Sequence, residues 1–248
     1  MKNKKFIKAY LLRLLTQKKQ STFDIKNSKK VLILKYDRIG DMVVTTPIFR
    51  ELKQAYPDIN ISVLASDENK SVIKYNPFID KIYTNYKNNL LIDLKKLLFL
   101  RMQKFDVCIE LEHSVIPHAL FRLKIINPKK IISIYKDGRY GVKGSELKIY
   151  DFLTKKEPDK HFGEIWLNTL SFFGITNPSN KYDIFLSNTE KTIAKAFSKS
   201  IKSKIKIGIN LEGSYKEKKI QPEDLQKICT SFKENFPDIT IVILSHPN

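Results

Sequence analysis

Residues 35–41 (KYDRIGD) bring together the side chains with the clearest chemical potential in this chain. They directly follow a short apolar run, and ligands of an open α/β sheet bind beyond the carboxyl ends of its strands. Gly40 permits a tight backbone turn into the following helix. Asp41 then stands at the helix start, where its carboxylate could take a proton from an attacking hydroxyl group. The alternative is a helix cap, in which this carboxylate accepts the free amides of the first turn, and spacing alone favours the cap.

Strand and helix signals alternate along the chain around this loop. Short apolar runs are separated by stretches of helical periodicity, which indicates βαβ units and a parallel, doubly wound α/β sheet. Pro47 suits the helix after the loop only near its first turn. Four apolar residues share one side of a later helix, namely Leu91, Leu94, Leu98 and Met102. The predicted strands are 31–34, 60–65, 81–84, 105–111 and 130–135, and the predicted helices are 41–56, 67–75, 90–103 and 115–126.

The pattern changes after residue 135. Residues 136–160 carry three glycines and many charges without clean periodicity, and they predict a long loop. A helix over 162–173 follows, and we interpret Trp166 as a core residue because it lies at helical spacing from Leu170 and Phe173. Further on, the sequence predicts a connecting helix at 189–200, and then a strand, a helix and a strand at 205–211, 222–235 and 240–245.

Residues 31–57 as a whole resemble the ADP-heptose:lipopolysaccharide heptosyltransferases of glycosyltransferase family 9. The shared pattern is Lys-x-Asp-Arg-Ile-Gly-Asp-x-x-x-x-Thr-Pro after a first strand, with a helix that ends in Tyr-Pro. The resemblance continues through FDVCIELEHS, HFGEIWLNTLSFFGI and INLEGSYKEKKIQPEDL, so that it covers about residues 30–248. The matching residues of the first segment are Lys35, Asp37, Arg38, Ile39, Gly40, Asp41, Thr46 and Pro47.

This resemblance implies an inverting, metal-independent transferase of the GT-B type, with one complete Rossmann-like N-terminal domain and an incomplete second one. It matches Asp41 to the catalytic base. It matches Lys35 and Arg38, together with Gly40, to the acceptor-binding end of the site. Charge-assisted bonds from the two basic side chains would suit phosphates on a lipopolysaccharide inner-core acceptor. For Arg38, a solvated loop charge is the alternative.

Residues 210–222 resemble the family's segment that approaches the diphosphate of the donor, ADP-heptose or a similar nucleotide sugar. The resemblance assigns donor binding to Gly213 and Ser214, where the backbone comes close, and to Lys218 and Lys219, whose charge neutralises phosphate. The pattern departs from the family's by one apparent extra residue. A solvated basic loop before a helix is the alternative.

We divide the chain into a basic helix with a linker (1–28), an N-terminal acceptor-side domain (29–187) and a partial C-terminal donor-side domain (188–248). The family's later Asp-Thr-Gly-x-x-His motif does not occur in the sequence. We therefore expect a transferase-like protein with little or no activity alone. The alternative is a non-catalytic protein that binds a membrane or a partner.

The net charge of +19 indicates an anionic partner. Ten basic residues and one acid, Asp24, fall within residues 1–30, and apolar residues recur at helical spacing over 4–17. Such a basic amphipathic helix would place residues 1–28 on an anionic membrane surface, or it would dock on the protein's own body. The sequence leaves both open. No pattern typical of nucleic-acid-binding domains occurs, so we expect no nucleic acid partner.

Metal and cofactor signals are missing from the sequence. The four histidines have no metal-ligand spacing, so we expect no metal, and no cofactor motif occurs. Cys108 and Cys229 lie in apolar runs and are interpreted as buried thiols of a reducing compartment. Arg13 interrupts the apolar stretch near the N-terminus, which argues against a signal peptide. We predict a cytoplasmic protein that is peripheral at the inner face of the cytoplasmic membrane.

Overall fold

A computed structural model describes residues 2–19, 21–85, 90–211 and 220–244. Contacts within the chain separate two compact units, Met1–Phe185 and Leu186–Asn248. Each unit has its own parallel β-sheet.

Over its described residues, the first unit contains a six-stranded parallel sheet in the order β3-β2-β1-β4-β5-β6. The α/β fold predicted from the alternating pattern is therefore confirmed. The strand order reverses between β1 and β4, which is the point where ligands of doubly wound sheets bind. The strands are β1 (Lys30–Leu34), β2 (Asn60–Ser66), β3 (Lys81–Asn85), β4 (Val107–Glu110), β5 (Lys130–Ser133) and β6 (Phe152–Leu153). The helices are α1 (Lys2–Leu15), α2 (Ile39–Ala55), α3 (Lys70–Ile73), α4 (Leu90–Met102), α5 (Pro117–Ile126) and α6 (Phe162–Leu167).

The two faces of this sheet bury separate apolar cores, because side chains alternate along each strand. On β1, Val31 and Ile33 enter one core together with side chains of α2 and Trp166 of α6. Leu32 and Leu34 enter the other core, which side chains of α1, α4 and α5 cover. These four apolar side chains of β1 are all buried, as expected for a central parallel strand.

Several boundaries differ from the sequence-based predictions. The loop predicted over 136–160 contains β6, which pairs with β5 through two residues and is too short to leave a periodic pattern. The helix predicted over 162–173 changes into a 3₁₀ helix at Asn168, and Gly174 ends it in the left-handed region. The helix predicted over 67–75 is limited to the four residues of α3.

Helix α1 docks on the body of the first unit. Ala9, Leu12 and Thr16 are buried, Arg13 forms an ion pair with Glu146, and Lys18 forms one with Asp151. The docking interpretation thus describes one side of α1, and the opposite side remains at the surface. Within the described ranges, no helix combines the length and the apolar character needed to cross a bilayer.

The second unit is a β-α-β arrangement preceded by a helix, as the sequence predicts. Its strands pair in parallel, with Ile205 opposite Ile239. Cys108 of the first unit is buried, as predicted. The burial predicted for Cys229 of the second unit is wrong, because this side chain is only half-buried. The elements are α7 (Asn188–Ser200), β7 (Ile205–Asn210), α8 (Pro222–Asn235) and β8 (Ile239–Leu244).

Pro47 lies in the interior of α2, not near its first turn, so the expectation that a helix tolerates it only there is wrong. Proline has no N–H, and the carbonyl of Val43 therefore lacks its usual helical donor. The hydroxyl of Thr46 replaces that donor, with Oγ1 2.7 Å from the Val43 oxygen. The same hydroxyl accepts the amide of Asp183 at 2.9 Å. The Thr-Pro pair of the motif thus keeps the backbone of α2 satisfied.

We predict that Thr46→Val lowers the free energy of unfolding by about 1–3 kcal/mol, because two partly buried backbone groups lose their partner. Urea denaturation measures this loss. Thr45→Val is the matched control, since the Asp41 carbonyl that Thr45 contacts also has its helical amide donor. On a Pro47→Ala background, which restores the amide for Val43, the loss should be smaller. An equal loss on both backgrounds would contradict this account.

Candidate functional site

The candidate site lies at the carboxyl ends of β1 and β4, where the strand order reverses. Lys35 and Asp37 follow β1, and Asp41 lies in the first turn of α2. Glu112 and His113 follow β4. The structure thus brings the predicted loop together with side chains about 75 residues further along the chain.

Lys35 is a buried cation at the centre of this site. Its side chain is only 3 % exposed, and its Nζ lies 2.8 Å from Asp37 Oδ2 and 3.9 Å from Asp41 Oδ2. The ammonium also lies 4.2 Å from the ring centroid of Trp166, which is a favourable cation–π distance. The predicted acceptor-binding lysine therefore contacts the predicted base and its neighbour, and its charge is balanced from within the protein.

Asp41 does not cap α2, and the capping alternative is wrong. Arg38 occupies the N-cap position with extended backbone, and the helix begins at Ile39. Asp41 lies within the first turn of the helix, where the helix dipole stabilises a negatively charged side chain. Its side chain is 37 % exposed, so solvent and a ligand can reach it.

Gly40 lies inside the first turn of α2, so the tight turn expected there is wrong. A Cβ built on Gly40 would meet no atom within 4 Å. The backbone conformation therefore does not require glycine, and packing does not require it either. What the missing side chain provides is open space at the start of the helix, beside Asp41.

Trp166 is buried as predicted, but it also belongs to the site. Its Nε1 donates a hydrogen bond to His113 Nε2 at 3.0 Å, and the His113 ring packs against Phe162 with a centroid distance of 4.4 Å. A nitrogen that accepts this bond carries no proton, so His113 is neutral in this arrangement. Burial lowers the pKa of His113, and the nearby charges of Lys35 and Lys136 lower it further.

A buried ion pair supports the loop after β4. Lys136 Nζ lies 2.6 Å from Glu110 Oε2, and both side chains are almost fully excluded from solvent. Ser133 donates to the same carboxylate oxygen at 2.9 Å, and Lys136 also donates to the Glu112 carbonyl. Gly144 permits this packing, because a Cβ there would lie 2.7 Å from the Cβ of Lys136.

The carboxyl groups of Glu112 and Asp37 interact directly. Burial raises the pKa of Glu112 to about 8, and both the charge of Asp37 and a hydrogen bond with it act in the same direction. Glu112 is therefore protonated at neutral pH and can donate to the Asp37 carboxylate. Lys35 contacts Asp37 from within the same loop.

Sequence reasoning missed Glu112, His113 and Asn69 as site residues. The amide of Asn69 donates to the carbonyls of Lys35 and Asp37 at 3.2 and 3.3 Å, and it thereby fixes the loop. A single asparagine outside a motif gives no signal for such a role. The first two lie within the segment FDVCIELEHS that carried the resemblance, but their contacts with the loop depend on the tertiary fold.

Residues of the other segments that carried the resemblance lie away from this site or outside the described residues. His161 is the N-cap of α6, where its Nδ1 accepts the Gly163 amide at 3.2 Å. The predicted donor-binding residues lie in 212–219, outside the described residues. In the part of the chain that is described, no group of three or more His, Cys, Asp or Glu side chains could hold a metal ion. The predicted donor-binding residues are Gly213, Ser214, Lys218 and Lys219.

The chain is similar to glycosyltransferases in both sequence and fold. It is 32 % identical over 91 residues to lipopolysaccharide heptosyltransferase 3 of Escherichia coli, over 34 % of this chain and 26 % of that protein. A glycosyl transferase family 9 structure from Veillonella parvula matches with a TM-score of 0.71 and 19 % identity, over 91 % of this chain and 64 % of that chain. The E. coli heptosyltransferase WaaC with ADP matches with a TM-score of 0.62 and 15 % identity, over 88 % of this chain and 67 % of that chain. No family model matches the chain.

These similarities confirm the resemblance to glycosyltransferase family 9 that the loop motif indicated, and they confirm the α/β fold of the GT-B type. The matched segments span about a quarter of the curated relatives and about two thirds of the solved structures. The activity, the substrates and the partners of this chain are therefore the subject of a proposal.

We predict that Glu112→Gln flattens the dependence of stability on pH. A carboxyl group whose pKa is raised on folding stabilises the fold fully below its ordinary pKa of 4.5, and this contribution is lost as the pH rises towards about 8. The parent chain should therefore lose about 1 kcal/mol of unfolding free energy per pH unit in this range relative to the variant. Urea denaturation between pH 5 and pH 9 measures the slope.

Glu164→Gln, which changes an exposed glutamate on α6, is the matched control and should leave the slope of the parent chain intact. Parallel pH profiles for the parent chain and Glu112→Gln would show that the Glu112 carboxyl titrates at the same pH in the folded and unfolded chains.

Proposed function

We propose that this chain is a glycosyltransferase-type protein that handles heptose transfer from ADP-heptose, or a similar nucleotide sugar, to the phosphorylated inner core of lipopolysaccharide. The observation that carries this proposal is the Asp41 carboxylate, which is accessible, lies beside open space at Gly40 and has the Lys35 ammonium 3.9 Å away. A base needs access to the acceptor hydroxyl, and the exposed Asp41 side chain gives that access. The heptosyltransferases to which the chain is similar support the choice of sugar.

The roles of the basic residues follow from their positions. Lys35 is buried, and its positive charge offsets the negative charges of Asp37 and Asp41. We therefore propose that it affects the acceptor indirectly, by positioning Asp41 and through the electrostatic potential at the site. Arg38 is exposed at the N-cap of α2. We propose that from this position it reaches an acceptor phosphate. Donor binding by Gly213, Ser214, Lys218 and Lys219 remains a prediction from the resemblance.

We further propose that the protein works at the inner face of the cytoplasmic membrane, with residues 1–28 against anionic lipid. The support is the side of α1 that does not dock on the body. Ile7, Tyr10, Leu11 and Leu14 are each more than half exposed there, and the helix contains basic residues but no acidic one. Apolar side chains of this kind enter the acyl boundary while lysines contact headgroups.

We expect the parent chain alone to transfer heptose slowly, and we predict that Asp41→Asn lowers the rate that the parent shows by about 10²–10⁴-fold, because the amide cannot accept the proton of the acceptor hydroxyl. The measurement is ADP release from ADP-heptose in the presence of heptose-deficient lipopolysaccharide. Asp67→Asn is the matched control, since Asp67 is an exposed aspartate outside the site. An unchanged rate in Asp41→Asn would exclude its role as base. Acceptor binding by the parent chain without any turnover would agree both with the low activity expected of the chain alone and with the non-catalytic alternative.

We predict that Gly40→Ala separates stability from acceptor binding. An added methyl group meets no atom within 4 Å, and alanine in a helix is favoured over glycine by up to about 1 kcal/mol, so the variant should unfold at an equal or higher urea concentration. If an acceptor comes close to this backbone, its affinity should fall by about tenfold or more through steric overlap. Calorimetric titration with the phosphorylated core oligosaccharide measures the affinity, and an unchanged value would show that the ligand keeps its distance from Gly40.

A further inference from the structure

Helix α4 carries two apolar sides, and only one of them is needed by the core. Leu97 and Leu100 are buried against the sheet. Leu94, Leu98 and Met102 share the other side, as their spacing predicted, and this side lies at the surface. Met102 is 67 % exposed and Leu98 is 47 % exposed. A helix that needs only to cover a sheet would carry polar residues there.

The neighbouring helices continue this exposed apolar surface. Helices α1, α4 and α5 contribute to the same core on one face of the sheet, and α5 contacts both of the others. Because all three helices cover one face, their outward sides point away from the sheet in the same general direction. Phe121 of α5 is 50 % exposed, and Leu11 of α1 is 56 % exposed. We call the outward side of these three helices the helical face, and its exposed apolar residues are Ile7, Tyr10, Leu11, Leu14, Leu15, Leu94, Leu98, Phe99, Met102 and Phe121.

The helical face is also strongly basic. Helix α1 contains five Lys or Arg residues, α4 three and α5 two. The three helices contain one acidic residue, Asp93, which forms an ion pair with Arg122 at 3.3 Å. Of the basic residues, Lys8, Lys95, Arg101 and Lys124 are exposed. Apolar side chains among unbalanced positive charges match a surface with negative headgroups above an acyl interior.

A groove in the helical face offers room for a hydrocarbon chain. It lies between α1 and the start of α5 and has a volume of about 430 Å³. Its lining is mainly apolar, with Leu11, Leu12 and Leu15 on one side and Pro117 and Tyr140 on the other. The Lys8 ammonium lies over the Tyr140 ring at this groove, 5.6 Å from its centroid.

We propose that the whole helical face, formed by α1, α4 and α5, is the surface that lies on an anionic bilayer. This extends the membrane association proposed above from residues 1–28 to the body of the first unit, and it rests on that proposal. The face borders the candidate site, because His118 of α5 packs against Tyr36 of the loop with a ring-centroid distance of 6.4 Å. A lipid-linked acceptor in the same bilayer would therefore approach the carboxyl end of β1, where the loop that leads to Asp41 begins.

The test uses the full chain and sedimentation with phosphatidylcholine vesicles that do or do not contain phosphatidylglycerol. The double variant Leu98→Asn with Phe121→Asn removes apolar contact from α4 and α5 without adding charge. Both positions are about half exposed, so the fold should persist, and circular dichroism melting checks this. We expect about tenfold weaker binding to the anionic vesicles, and weak binding to pure phosphatidylcholine for all chains.

The matched control is Ile193→Asn with Phe197→Asn, which removes exposed apolar residues from the basic helix α7 of the second unit. Its vesicle binding should equal that of the parent chain. An equal loss in this control would overturn the proposal, because the attraction would then be a general property of exposed apolar residues.

Two further outcomes would also overturn the proposal. If Leu11→Asn with Leu14→Asn weakens binding and the α4–α5 variant does not, α1 alone contacts lipid, and the body does not. If the chain forms a dimer that the α4–α5 variant dissociates and vesicle binding is absent, the face binds a second copy. The vesicles contain neither donor nor acceptor, so an inactive chain in the transfer assay leaves this result unaffected.

Discussion

The buried ammonium of Lys35 is the constraint on which the candidate site depends. A charge that is 3 % exposed is costly unless charged or polar groups compensate it. Asp37 forms a close ion pair with Lys35 and Trp166 places its ring face against the ammonium, whereas Asp41 lies further away, at 3.9 Å. Asp37 can therefore provide most of the close compensation, while the Asp41 carboxylate remains accessible for chemistry. The two carboxylates thus have different roles around one buried cation: Asp37 compensates its charge, and Asp41 stays accessible.

The carboxyl groups around the site outnumber the cations, and the structure resolves this imbalance in two ways. Glu110 is paired with Lys136 in a separate buried pair. Asp37, Asp41 and Glu112 lie around the buried ammonium of Lys35, and the pKa of Glu112 is raised, first by burial and then by Asp37. A protonated Glu112 can donate to Asp37 without adding charge. Removal of Lys35 would thus disturb the protonation of a residue after β4.

The sequence allowed the sheet, most helices and the loop at residues 35–41 to be predicted, because each depends on local periodicity or on a contiguous motif. It did not reveal the contacts that complete the site. Trp166 was interpreted as a core residue, and its burial is correct, but its contact with Lys35 arises only when α6 packs beside β1. The expectation for Pro47 is wrong because it neglects Thr46. Its hydroxyl donates to the Val43 carbonyl, which has no helical amide donor because residue 47 is proline. Asn69 shows the same limitation, since its clamp joins segments that are distant in sequence.

The alternation of side chains along β1 explains why the loop contacts both the site and the helical face. Val31 and Ile33 point to the core that contains Trp166, and Leu32 and Leu34 point to the core beneath α5. If the alternation continues past the strand, odd residues stay on the first side and even residues on the second. The contacts follow this rule: Lys35 lies over Trp166, and Tyr36 packs with His118 and with Arg122, whose guanidinium is 4.6 Å from its ring centroid. A ligand that moves the loop would therefore change contacts on both sides of the sheet. Through the alternation of its side chains, β1 and the loop after it thus contact both the candidate site and the helices of the surface that we propose for lipid.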